Sequence, residues 1–270
     1  EKANIGKVRN TLVKCVEESI VCHMDVNCFY DKDYINDSVN KLNENNQKIV
    51  ICNKYRTLFI DDDFDSWKVT NVDNSENFEP SMTYTKKYYK ANTGFDNKRH
   101  QNEGYKLLNP KNISKLEKEL VYCLTSDKQH KLYSNTISVD ESKFSKKEIE
   151  FMGKAALQDP DWFYGLDEVS DEEEIETFEI LNDSETKKEE EKIEEEDPMN
   201  PRVAVLTPTR NKKQFWKLML QNLKQQQYPH DKITWYVLDD TDKNEDTGLH
   251  SVIDKLKEQL SPIHVQFKSR

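Results

Sequence analysis

The sequence predicts an α/β fold on a mostly parallel, doubly wound sheet, and three observations point there. Residues 201–270 run strand, helix, strand, helix, strand, the rhythm of a parallel sheet with crossover helices. Residues 1–125 open on a helical pattern with no strand before it, so the rhythm closing at residue 270 continues when tail is joined to head. Between these regions lies a block so acidic that it can bury almost nothing. The expected organisation is therefore 1–165, a linker at 166–200, and 201–270.

In the last region, Val203-Ala-Val-Leu-Thr207 is a short buried strand that Pro208 should close. Asn211 or Thr209 is placed to cap the next helix. Phe215, Met219 and Leu223, with Trp216 and Leu220 beside them, give that helix one apolar face before Pro229. Ile233–Leu238 reads as a second strand ending at Asp239-Asp240. Leu249, Val252, Ile253, Leu256 and Leu260 mark a second amphipathic helix, and Ile263–Phe267 a third strand.

In the first region, Ile5, Val8, Leu12 and Cys15 space out as a helix, and residues 19–24 form a strand ending at Asp25. A helix at 34–42, a strand at 48–52, β-rich stretches at 55–60 and 68–72, and a strand at 120–125 follow. Asp61, Asp62, Asp63 and Asp65 lack the glycine and terminal glutamate of a calcium loop and read as a solvated turn.

Composition narrows the function. Residues 167–198 hold seventeen acidic side chains and three lysines, a local net of −14, so the rest of this −11 chain carries +3. Neither an acidic binding module nor a nucleic-acid binder fits that balance, because no strongly basic face remains. The five cysteines, an odd number without a CxxC pair, suggest buried free thiols in a reducing, cytoplasmic setting. No apolar run is long enough for a membrane span, and the N-terminal residues lack a signal-peptide pattern.

Several short motifs resemble those of inverting family-two nucleotide-sugar glycosyltransferases of the GT-A fold, a Rossmann-related architecture. Leu206-Thr-Pro-Thr-Arg-Asn211 is similar to the first-strand turn that begins nucleotide recognition, and Val237-Leu-Asp-Asp240 to the second-strand acidic pair. Ile5-Gly-Lys-Val-Arg-Asn10 resembles the helix ahead of the metal motif. His23-Met-Asp-Val-Asn-Cys-Phe-Tyr30 sits where the family has Asp-x-Asp, while Pro80–Tyr89 and Asn102-Glu-Gly104 look like the acceptor side. The two halves stand in reversed order, as in a tandem fragment or a circular permutant.

The resemblance implies a transferase moving a sugar from a nucleotide-sugar donor to a glycan or other hydroxyl acceptor, with inversion. It assigns Thr207, Pro208, Arg210, Asp239, Asp240 and Arg9 to the nucleotide, Asp25 and Asn27 to a Mn2+ or Mg2+ ion, and Glu103 to the catalytic base. Such chemistry needs a stabilised diphosphate leaving group and a carboxylate to take the acceptor proton. Asn27 departs from the family pattern by replacing a carboxylate with an amide, which weakens the metal site. The alternative is a catalytically degenerate nucleotide-sugar-binding or scaffolding domain.

Overall fold

The computed structural model describes residues 5–44, 47–60, 67–70, 73–74, 79–97, 104, 106–108, 112–118, 120–126, 136–138, 200–242, 244 and 248–269. Apart from Asn200, the acidic linker lies outside them, as do Asp61, Asp62, Asp63, Asp65 and Glu103. In chain order the elements are α1 (Ile5–Cys15), β1 (Ile20–His23), β2 (Cys28–Tyr30), α2 (Tyr34–Asn43), β3 (Ile49–Cys52), β4 (Lys54–Ile60) and β5 (Trp67–Thr70). There follow β6 (Asp73–Asn74), β7 (Thr83–Thr85), α3 (Lys86–Ala91), β8 (Ile113–Leu116), β9 (Val121–Ser126) and β10 (Thr136–Ser138). The last stretch holds β11 (Val203–Thr209), α4 (Trp216–Lys224), β12 (Ile233–Asp239), α5 (Ile253–Leu260) and β13 (His264–Ser269).

The two separated regions share one sheet, with strand order β13-β12-β11-β1-β7-β3-β8. β11 and β1, nearly two hundred residues apart in the chain, pair in parallel from Ile20 opposite Val203 to His23 opposite Leu206. β12 and β13 extend the sheet in parallel on one side, and β3 and β8 pair in parallel on the other. β7 runs antiparallel between β1 and β3. A smaller sheet, β10-β5-β4-β9-β2, carries the remaining strands, with β6 beside β4.

The central strands are apolar on both faces because helices cover both. Ile20, Cys22, Val203, Val205, Trp235 and Val237 join one core with residues of α2, α4 and α5. Val21, Ala204, Leu206 and Tyr236 join the other with Leu12, Val13 and Val16 of the α1 region. Buried Ile253, Leu256 and Leu260 give α5 its inward stripe. At the edge strand β13, by contrast, His264, Gln266 and Lys268 are exposed, which blunts pairing with another chain.

A row of amides on and just after α4 ties the two regions together. Asn222 Oδ1 accepts from the Tyr30 amide at 3.0 Å while its Nδ2 donates to the Cys28 carbonyl at 2.7 Å. Gln225 Nε2 donates to the Tyr30 carbonyl. Gln226 accepts from the Ile35 amide at 3.1 Å and donates to the Asp31 carbonyl at 3.0 Å, and the Gln227 amide donates to the Lys32 carbonyl at 2.7 Å. The side chains of Asn222, Gln225 and Gln226 thus satisfy backbone groups of β2, the turn after it and the start of α2 that would otherwise be buried unpaired.

Three local expectations need correction. Pro208 does not close its strand, because β11 runs on to Thr209. The Leu206 carbonyl faces β1, so Pro208, two residues on, turns its missing N–H to the same side, where β1 has ended. Neither Thr209 nor Asn211 caps α4: Phe215 stands at the cap without a side-chain bond, and Asn211 adopts φ +52°. Cys15, expected on the apolar face of α1, is exposed.

Candidate functional site

Parallel pairing puts the carboxyl ends of β11, β12 and β1 on one edge. From β11 the chain winds outward through β12 to β13, whereas β1 lies on the opposite side of β11. Taken in joined order the strands run third, second, first, fourth. The β11/β1 junction is thus the switch point, where open α/β sheets leave a crevice for ligands. Asp25, the Thr207–Asn211 segment and Asp239-Asp240 all stand at this edge.

Thr207 is buried at the β11/β1 junction. Its hydroxyl donates to the Met24 carbonyl at 2.8 Å and accepts from Trp235 Nε1 at 2.9 Å, so this buried side chain stitches β11 to β1 and β12. Pro208 is buried within β11. Arg210 leaves the strand and donates to Asp240 Oδ2 at 3.4 Å, with both side chains partly open to solvent. The Asn211 amide donates to Thr241 Oγ1 at 2.7 Å, holding the two loops together.

The neighbouring aspartates at and just after the end of β12 have different surroundings. Asp239 is fully buried: Oδ1 accepts from the amide and hydroxyl of Thr241 at 3.1 and 2.5 Å, and Oδ2 from the Leu249 amide at 2.5 Å. A side chain at Gly248 would meet Asp239 Oδ2 at 2.7 Å and His250 Nδ1 at 2.5 Å. Position 248 is bare because the loop closes directly over the carboxylate. Asp240 is the more open of the two, with a side chain 13% exposed against 0% for Asp239.

Arg9 lies beneath Asp25, only 2% exposed. One guanidinium nitrogen donates to Asp25 Oδ2 at 3.0 Å and another to His23 Nδ1, and the Phe95 ring lies 5.9 Å from its centre. Burial, and then the Arg9 charge, hold the His23 pKa well below its ordinary value. With Nδ1 accepting from Arg9, neutral His23 carries its proton on Nε2 and gives it to Tyr84 Oη at 2.9 Å. The adjacent Asn10 binds the amide and carbonyl of Phe95 at 2.9 and 2.8 Å, which fixes the ring beside Arg9.

Asp25 itself is half satisfied. Arg9 engages Oδ2, whereas Oδ1 is buried without a hydrogen-bond partner. Its amide donates to Tyr30 Oη at 2.7 Å, and that hydroxyl donates to the Pro80 carbonyl at 2.8 Å. Burial and then the nearby Cys28 and Asp25 raise the Tyr30 pKa, so the phenol remains a donor. Asn27 sits in the β1–β2 turn, half-buried. Among the described residues, no group of three or more His, Cys, Asp or Glu side chains is placed to hold a metal ion. No helix among them is long and apolar enough to cross a membrane.

The structure thus brings Asp25, Arg9, Thr207, Pro208, Arg210, Asp239 and Asp240 to one edge and puts Asn27 in the turn beside it. Glu103 lies outside the described residues; its neighbour Gly104 donates its amide to the buried Glu79 at 3.3 Å. Sequence reasoning missed the links of His23 to Arg9 and of Thr241 to Asp239. The second had a local signal, since an aspartate side chain commonly accepts from the backbone amide two residues on, as in an Asx-turn. The first joins residues on different elements and had none. The sequence matches no protein-family model and no curated protein. On its own geometry the chain is an α/β domain with carboxylates at the carboxyl edge of its sheet, on either side of the switch point.

Proposed function

We propose that this crevice binds a nucleotide sugar and that the chain is a glycosyltransferase of the GT-A type, passing the sugar to a hydroxyl acceptor. The observation carrying this reading is that Asp25 follows β1, and the Arg210–Asp240 pair follows β11 and β12, on one carboxyl edge of the sheet, although their segments are far apart in sequence. Asp240 is the carboxylate available to the nucleoside, and Arg210 the cation available to a phosphate. Asp239 supports them by holding the loop through Thr241 and Leu249. The unmet Oδ1 of Asp25 suits a hard cation, with the Asn27 amide as a weak second ligand. Two such ligands fit a Mg2+ or Mn2+ ion that a diphosphate ligates at the same time, as Mg2+ sites commonly do. That ion would neutralise charge on the departing diphosphate. Glu103 remains the proposed base.

One observation favours a second reading, a nucleotide-sugar-binding domain without turnover. Arg9 already neutralises Asp25, and position 27 brings no charge. Calorimetry of the full chain with UDP- and GDP-sugars, with and without Mn2+, separates the readings. Metal-dependent binding with sugar release supports the transferase. Metal-independent binding without release supports the second reading, and no heat with any of these ligands removes both.

A further inference from the structure

Beside the crevice, two cysteines distant in sequence meet. Cys28, one residue past Asn27, lies directly opposite Cys123 in the antiparallel β2–β9 pair. Their sulfurs are 3.3 Å apart, and both are free thiols. Residues directly opposed on antiparallel strands have Cα atoms about 4.5–5.5 Å apart, within the roughly 4.4–6.8 Å that a disulfide spans. Bond formation therefore needs side-chain rotation and little movement of the strands. Cys28 is buried while Cys123 is partly exposed, so one thiol of the pair can meet a reagent from solvent and the other stands behind it.

We infer that Cys28 and Cys123 form a reversible redox pair whose disulfide staples β2 to β9 and so ties down the β1–β2 turn carrying Asp25 and Asn27. The oxidant is a small disulfide of the glutathione class. Cys123 sulfur, as thiolate, attacks one sulfur of the oxidant, whose S–S bond breaks to release one small thiol and leave a mixed disulfide on Cys123. Cys28 sulfur then attacks Cys123 sulfur and expels the second small thiol. Two electrons pass from the protein to the oxidant, and the two cysteine protons end on the two released thiols. Transient disulfides of this kind are the form in which reducing compartments tolerate them. The pair has a built-in contrast. Cys15 is exposed without a cysteine opposite it, and Cys22 and Cys52 are buried.

The test treats the full chain with oxidised glutathione, quenches in acid, alkylates under denaturing conditions and maps the peptides by mass spectrometry. The expected result is a linked Cys28–Cys123 peptide lighter by two hydrogens, with any further loss among the five thiols confined to exposed Cys15 as a glutathione adduct, and full recovery with dithiothreitol. Cys123→Ser should abolish the linked peptide, and Cys15→Ser should leave its yield unchanged. Because Cys28→Ser places a hydroxyl in a buried site and can upset folding, the wild-type peptide map decides the question. Cys28 and Cys123 both alkylated after oxidation, or Cys123 held as a stable glutathione adduct, would overturn the inference. This outcome is independent of nucleotide binding.

Discussion

The regions on either side of the β11/β1 seam reach the same edge with carboxylates, but they treat them differently. In residues 201–269 the two aspartates divide the work: Asp239 is sealed by Thr241 and Leu249, and Asp240 stays partly open beside Arg210. In residues 5–126 one aspartate does both, with Oδ2 held by Arg9 and Oδ1 unmet. The difference teaches that a strand-end carboxylate does not by itself announce a ligand. Where its oxygens go decides whether it holds a loop or is left for something to bind.

The largest test of the comparison strikes the seam itself. Asn222→Leu removes the partner of two buried backbone groups, the Tyr30 amide and the Cys28 carbonyl. At about 1–3 kcal/mol per orphaned group, it should cost about 3 kcal/mol in denaturant unfolding. A loss below about 0.5 kcal/mol would mean that the two regions do not depend on this bond pair. Next, Asp239→Asn should destabilise by about 2 kcal/mol, because it weakens charge-assisted bonds to Thr241 and Leu249. Asp240→Asn should leave stability within about 0.5 kcal/mol, since a partly exposed ion pair contributes little, yet lower UDP or GDP affinity. Equal behaviour of the two variants would erase the division drawn between them.

Asn27→Asp sharpens the contrast from the other side. Supplying a carboxylate there should, if the proposed site holds, raise Mn2+ affinity in the presence of UDP by about tenfold, or ~1.4 kcal/mol, read by calorimetry; an unchanged titration would remove position 27 from the proposed metal site. The last prediction concerns the pH profile of stability and His23. Its folded pKa is depressed, so the unfolded chain binds the extra proton first as pH falls below the usual histidine value of about 6.5. Stability is thus fully present above that value and declines below it by up to about 1.4 kcal/mol per pH unit until the folded pKa is reached. His23→Gln should flatten this part of the profile, and an unaltered slope would place the titrating group elsewhere.

Most of what was readable in the sequence was local, with one long-range exception. The four-residue spacing of Phe215, Met219 and Leu223 and the apolar run of Val203–Leu206 follow from burying one helix face and both strand faces. Pairing β11 with β1 across the linker followed from an open rhythm at each end. The β7 insertion between β1 and β3 was not readable, because Thr83-Tyr-Thr85 is too short to show a period. The roles of the Gln225 and Gln226 amides were not readable either, because their partners, the backbone of residues 30–35, dock from the other region. Arg9 carried a partial signal. Its place beside Asn10 suggested a role, but its partners His23 and Asp25 lie on another element, and the expected phosphate contact left out the ion pair that holds it.

The most direct measurement is hydrogen–deuterium exchange of the full chain with and without UDP and Mn2+. Ligand across the seam predicts slowed exchange in both the Met24–Tyr30 and the Thr209–Thr241 stretches, with the latter effect concentrated at Arg210–Asn211 and Asp240–Thr241. Protection confined to one side of the seam, or none at saturating nucleotide, would contradict a shared nucleotide-sugar site.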